Sequence, residues 1–110
     1  MSATEAPEAA LDRALAAGQP TLAFFHSLTC ESCVEMTAIV KQVYPEFQGS
    51  ITLVDVDVYD PRNENLLGRA RIPGIPTVVL FDRAGKGKWL VGVTAADQLR
   101  EQLVALAAGG

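Results

Sequence analysis

The sequence predicts an α/β fold with a mixed central sheet of about four strands flanked by about four helices. Three observations carry that expectation. Segments with helical and with strand periodicity alternate along most of the chain. Near the C-terminus two apolar runs flank the turn Asp82-Arg83-Ala84-Gly85, so at least one strand pair is antiparallel. Apolar residues make up 49% of the 110 residues, enough for a hydrophobic core without staples. That length fits a single domain spanning residues 1–110.

The elements follow in chain order. Thr4 is placed to cap a first helix, and Pro7 is tolerated in its first turn. Leu11 and Leu15 lie one turn apart, and Gly18 with Pro20 ends the helix. Thr21 to His26 is a short apolar run, read as a buried strand. The turn Ser27-Leu28-Thr29 leads to a helix starting at Cys30, with Met36, Val40, Val43 and Phe47 on one face. Pro45 should kink or end it, and Gly49 closes it. Ile51 to Val58 reads as a strand that turns to alternation at Asp55 and Asp57. Asp60-Pro61 marks the N-cap and first position of a short helix through Leu67. Ile72 to Pro76 is a rigid, turn-rich connection. Thr77 to Phe81 and Lys88 to Val93 form the hairpin strands, with Trp89 a core or edge-strand residue on the second. Thr94-Ala95-Ala96-Asp97 reads as a capping box, opening a last helix that aligns Leu99, Leu103 and Leu106.

Composition narrows the function. The net charge of −4 and the absence of a basic stripe argue against a nucleic-acid partner. No apolar run reaches the roughly 20 residues of a membrane helix, so no membrane insertion is expected. Residues Met1 to Glu8 hold no Lys or Arg and no apolar core follows, which reads as cytoplasmic. A trimmed piece of a periplasmic or exported protein would look the same.

Cys30 and Cys33 are the only cysteines, three positions apart. A pair of this kind in a reducing compartment is catalytic or metal-binding more often than structural. At a strand-to-helix junction capped by Thr29, the Cys30 sulfur would face unpaired backbone N–H groups and the positive end of the helix. Both favour the thiolate, the form that attacks a disulfide. Cys33, nearly one turn on, would then resolve the mixed disulfide. A closed zinc site needs about four ligands. Two cysteines and one histidine, His26, fall short of that, so no metal and no cofactor is expected within one chain.

These residues resemble the thioredoxin superfamily from about Gln19 to Ala107. Phe24-Phe25 with Cys30-x-x-Cys33 is similar to its strand-turn-nucleophile segment, and Gly74-Ile75-Pro76-Thr77-Val78-Val79-Leu80-Phe81 to its cis-proline strand. Val91-Gly92 with the final helix resembles its C-terminal end. The resemblance implies a dithiol–disulfide oxidoreductase acting on protein disulfides. Cys30 would be the nucleophile and Cys33 the resolving thiol. Ile75, Pro76 and Thr29 would meet the substrate, with a cis Ile75–Pro76 bond leaving the Ile75 backbone free to pair with an extended segment. It further implies a monomer recharged by a reductase or a transporter. Ile75 resembles the residue that reducing thioredoxins carry before their proline, so a reductant is expected.

The sequence also departs from the family. Thr29 stands where an aromatic is usual, and Glu31-Ser32 where Gly-Pro is usual. Phe24 occupies the position of the family's buried acid and Leu53 that of its lysine partner. The opening helix with Gly18-Gln19-Pro20 resembles thioredoxin-like domains at the periplasmic end of thiol-reducing transporters. His26 and Glu31 are the nearest groups to modulate the cysteines. His26 suits proton transfer near neutral pH, or is a surface or half-buried ring with no role. The charge of Glu31 should raise the pKa of Cys30. Asp55 and Asp57 are read as a solvent-facing pair. Two rival readings follow from the departures: a redox-inactive binding module, or a dimer holding a metal or iron–sulfur cluster through its CxxC pairs.

Overall fold

A computed structural model describes residues 5–109. The elements are α1 (Pro7–Ala16), β1 (Thr21–His26), α2 (Glu31–Val43), β2 (Thr52–Asp57), α3 (Glu64–Ala70), β3 (Thr77–Phe81), β4 (Gly87–Val91) and α4 (Ala96–Ala107). The sheet order is β2-β1-β3-β4. β1 runs parallel to β2 and antiparallel to β3, and β3 is antiparallel to β4, so the sheet is mixed as expected.

Alternation along β1 builds two cores, because successive side chains leave a strand on opposite faces. Leu22 and Phe24 join Val78 and Leu80 of β3 under Met36, Val40 and Val43 of α2 and Leu99, Leu103 and Leu106 of α4. Ala23 and Phe25 join Val54, Val56 and Val79 over Leu11 of α1 and Leu66 of α3. Each of these large apolar side chains contributes about 1.5–3 kcal/mol of burial.

Several boundaries differ from the sequence reading. The expected Thr4 cap lies outside the described residues, and α1 begins behind Ala6 with no side-chain cap. At Pro45 the α2 backbone tightens into a 3-10 turn, Tyr44–Phe47, since proline cannot supply the next helical N–H. Ile51 makes only an isolated bridge to Gln48, outside β2. Asp60 caps a 3-10 turn, Pro61–Asn63, ahead of α3 rather than the α-helix itself. β4 begins at Gly87 and stops at Val91, before Gly92 turns the chain with φ +82°. The expected capping box is not formed: Ala95 is the N-cap of α4. The Thr94 N–H instead reaches the Met36 sulfur at 3.3 Å.

Candidate active site

The C-terminal ends of β1 and β2 and the start of β3 lie at one edge of the sheet, where α2 also begins. The chain leaves β1 at His26 and passes through Ser27, Leu28 and Thr29. The Ser27 hydroxyl accepts from the Thr29 N–H at 3.2 Å and lies 3.1 Å from the Thr29 hydroxyl. This local turn engages Thr29, and the expected capping role passes to its neighbour. Cys30 is the N-cap of α2, in extended backbone with φ −86° and ψ 124°. Its sulfur takes the place of a capping oxygen and accepts from the Cys33 N–H at 3.3 Å.

The two thiols meet different environments. Cys30 is part-exposed, and the Ser32 hydroxyl lies 3.3 Å from its sulfur. Hydrogen bonding from Cys33, then from Ser32, lowers its pKa below the usual thiol value. The sequence reading expected Glu31 to raise it. Glu31 is exposed in the first turn of α2, and the groups that move Cys30 are Cys33 and Ser32. Cys33 is fully buried. Burial raises its pKa first, the hydrogen bond to Cys30 second, while the backbone of Ser27 hydrogen-bonds its sulfur and works the other way. One sulfur is thus exposed and favoured as thiolate, and the other is buried and held as thiol.

Ile75 and Pro76 approach from β3. The Ile75–Pro76 peptide is cis. Thr77 pairs with Phe25 of β1, so extending the register by one sets Pro76 beside His26. The Pro76 carbonyl accepts from the Gly92 N–H at 2.8 Å. Among the described residues none hydrogen-bonds the backbone of half-buried Ile75.

His26 and Asp55 form a contact that the sequence reading missed. Imidazole Nε2 lies 2.5 Å from Asp55 Oδ1, and the ring stacks on Phe24 with centroids 4.3 Å apart. The ring is 5% exposed, buried rather than half-buried. Asp55 faces solvent as expected, but it has a partner, whereas the Asp57 carboxylate accepts from the Tyr59 N–H. Phe24 and Leu53, in the positions of the family's acid and lysine, both belong to the apolar layer under α2. Trp89 lies exposed on edge strand β4 rather than in the core, its indole N–H 3.3 Å from the Ala70 carbonyl. Among the described residues, no three His, Cys, Asp or Glu side chains gather to hold a metal.

A CxxC pair at a strand-to-helix junction and a cis Ile75–Pro76 bond ahead of β3 are accompanied by clear relatives. A family model for a thioredoxin-like domain matches residues 7–107. The chain is 30% identical over 99 residues to a chloroplastic thioredoxin-like protein, HCF164, of Arabidopsis thaliana, covering 89% of this chain and 38% of that protein. It is 30% identical over 105 residues to the thiol:disulfide interchange protein DsbD of Haemophilus influenzae, covering 87% of this chain and 18% of that one. It therefore spans well under half the length of these curated relatives. The structure of chloroplastic thioredoxin z superposes with a TM-score of 0.77 at 28% identity, over 92% of this chain and 90% of that one. Oxidised thioredoxin O2 of Arabidopsis thaliana gives 0.78 at 22% identity, over 91% and 85%. This chain belongs to the thioredoxin-like domain family. Of these curated relatives, one is named a thioredoxin-like protein and the other a thiol:disulfide interchange protein, and no helix among the described residues is long and apolar enough to cross a membrane.

Proposed function

We propose that this protein is a thiol–disulfide oxidoreductase that reduces protein disulfides through Cys30 and Cys33. The observation that carries the reading is the unequal pair: a part-exposed Cys30 favoured as thiolate above a buried Cys33 held as thiol. The Cys30 thiolate attacks a substrate S–S bond, forms a mixed disulfide and releases one substrate thiolate. Cys33 then attacks the Cys30 sulfur. The Cys30–Cys33 bond forms, the mixed disulfide breaks, and the second substrate thiolate leaves. The substrate gains two electrons and the protein loses them, so a recycling dithiol reductase or a thiol-reducing transporter must restore it. The unpaired backbone of Ile75 next to Pro76 supports docking of an extended substrate segment, and Thr29, next to Cys30 in the chain, is the third residue proposed to meet it.

The test is turnover of a disulfide-bonded model protein with dithiothreitol as recycling reductant. Cys30→Ser should abolish it, and Cys33→Ser should accumulate mixed disulfides visible on a non-reducing gel. Full turnover by Cys30→Ser overturns the reading. No turnover by the native protein, with stable association to one partner in both redox states, would favour the binding-module reading.

A further inference from the structure

We propose that the sheet edge carrying Cys30 selects substrates whose disulfide lies in a segment rich in apolar and basic residues. The proposal rests on the exchange reading above and names its substrate class. Among the described residues seven large apolar side chains stay exposed, and five of them, Leu28, Val34, Tyr59, Val91 and Val93, belong to this edge. Leu28 and Tyr59 are the most exposed of the seven, at 77% and 74%. Scattered single apolar residues are ordinary on a surface, whereas apolar residues gathered at one edge point to an interface.

The strand register brings these residues to one level. His26 and Asp57 are the last paired residues of parallel β1 and β2, and the Val58 N–H donates to the His26 carbonyl at 2.9 Å. Leu28 and Tyr59 each follow two residues later, on loops that leave neighbouring strands together. Leu28 is two residues before Cys30. Val34, whose N–H donates to the Cys30 carbonyl, is one turn after it. Val91 pairs with Thr77, the residue after Pro76, and Val93 follows where the chain leaves β4. The apolar residues thus run along the edge from the β2 loop to the end of β4, with Ile75 and Pro76 ahead of β3 between them.

Charge decides what kind of segment fits. Glu31 and Glu35 are exposed one turn apart on α2, and neither forms an ion pair among the described residues. Like charges at that spacing weaken a helix. Lys41, the one cation on α2, lies six residues beyond Glu35. Asp57 adds a carboxylate at the end of β2. The cations at this edge are Arg62, already held by Asp60, and Arg71 at the end of α3. The opposite edge is the reverse. There the turn from β3 to β4 carries Arg83 and Lys86, with Lys88 next on β4, and its carboxylate, Asp82, is taken by the backbone N–H groups of Ala84 and Lys86. The charge is therefore polarised along the strands, and its field turns the Cys30 edge towards a positively charged partner. A lysine or arginine flanking the substrate cysteine would meet Glu31 or Glu35 while an apolar neighbour covers Leu28 or Tyr59.

Disulfide-linked peptides that fluoresce on reduction test this. One pair differs only in carrying lysines or glutamates beside the cysteines, and a second pair only in leucine or serine flanks. Each rate with the reduced protein is divided by that peptide's rate with dithiothreitol, which removes the peptide's own reactivity. The lysine peptide should react about tenfold faster or more at low salt, and the advantage should fall towards parity near roughly 1 M salt, where screening acts within about 3 Å. Glu31→Gln with Glu35→Gln should cut the lysine-to-glutamate ratio by about threefold or more, while Lys86→Gln with Lys88→Gln at the far edge should leave it in place. Leu28→Ser with Tyr59→Ser should slow the leucine peptide by more than the serine peptide. Parity between the lysine and glutamate peptides at low salt, a ratio unmoved by the glutamine pair at positions 31 and 35, or equal slowing of the leucine and serine peptides overturns the proposal. So does reduction of uncharged hydroxyethyl disulfide with no reduction of any peptide. A native protein that reduces none of these disulfides overturns the exchange reading itself.

Discussion

The backbone N–H of Cys33 donates to the Cys30 sulfur across 3.3 Å, so the exposed cysteine caps the helix that carries the buried one. Cys30 and its helix are therefore one local device. The hydrogen bond that satisfies an otherwise open N–H also stabilises negative charge on the sulfur.

That dual role separates two substitutions that both remove the Cys30 sulfur. Serine keeps a capping acceptor at position 30, and alanine does not. We expect Cys30→Ala to be less stable than Cys30→Ser by about 1 kcal/mol, the usual worth of an N-cap side chain. Urea unfolding of the two variants under reducing conditions checks this.

The same geometry fixes a pH dependence. A lowered Cys30 pKa means that its thiolate persists below the usual thiol range and is lost as pH falls through the lowered value. Alkylation of Cys30 by iodoacetamide should follow that curve. Hydrogen bonding from Cys33 is the largest cause, so Cys33→Ala should move the midpoint upward, and Ser32→Ala should move it in the same direction. Cys33 in a Cys30→Ser background should alkylate only at higher pH, since burial favours its neutral form.

Phe24 fills the core beneath α2 and stacks on His26. Phe24→Ala should cost about 3–5 kcal/mol through lost burial and the cavity left behind. Thermal unfolding measures this. The loss should exceed that of any exposed substitution on β4.

Arg71 ends α3 in the left-handed region with φ 52°, where a side chain is strained. Arg71→Gly should stabilise by under about 1 kcal/mol, because glycine is the preferred residue at that position. Gly92→Ala should act in reverse. It meets no atom within 4 Å, so its cost of about 1 kcal/mol is conformational alone. Denaturant midpoints of the two variants should move in opposite directions.

The order of elements was legible because periodicity and turn residues are local signals. Leu99, Leu103 and Leu106 predicted the buried stripe of α4, and each is buried. What the sequence misjudged depended on competition between partners. Thr29 and Thr94 both carry the chemistry of an N-cap. The first is engaged by Ser27, and the second lies one residue too early, its N–H given to Met36. A sulfur as capping acceptor was outside the usual residue preferences. The pairing of His26 with Asp55 was hidden for another reason. It needs the parallel register in which Phe24 faces Asp55, and no local pattern states how two strands align. Cys30, Cys33 and the Ile75–Pro76 segment stood out because residue type and spacing carry that signal by themselves.

The split of β1 between two cores has a consequence for how this scaffold can change. Every second residue of one strand answers to α2 and α4, and the intervening ones answer to α1 and α3. Variation at Phe25, Leu11 or Leu66 reaches overall stability without passing through the layer that holds Cys33 and His26. Variation at Leu22, Phe24 or Met36 reaches both. One side of the sheet is thus a reservoir in which robustness can drift, and the other is a dial on which the surroundings of the two cysteines are set.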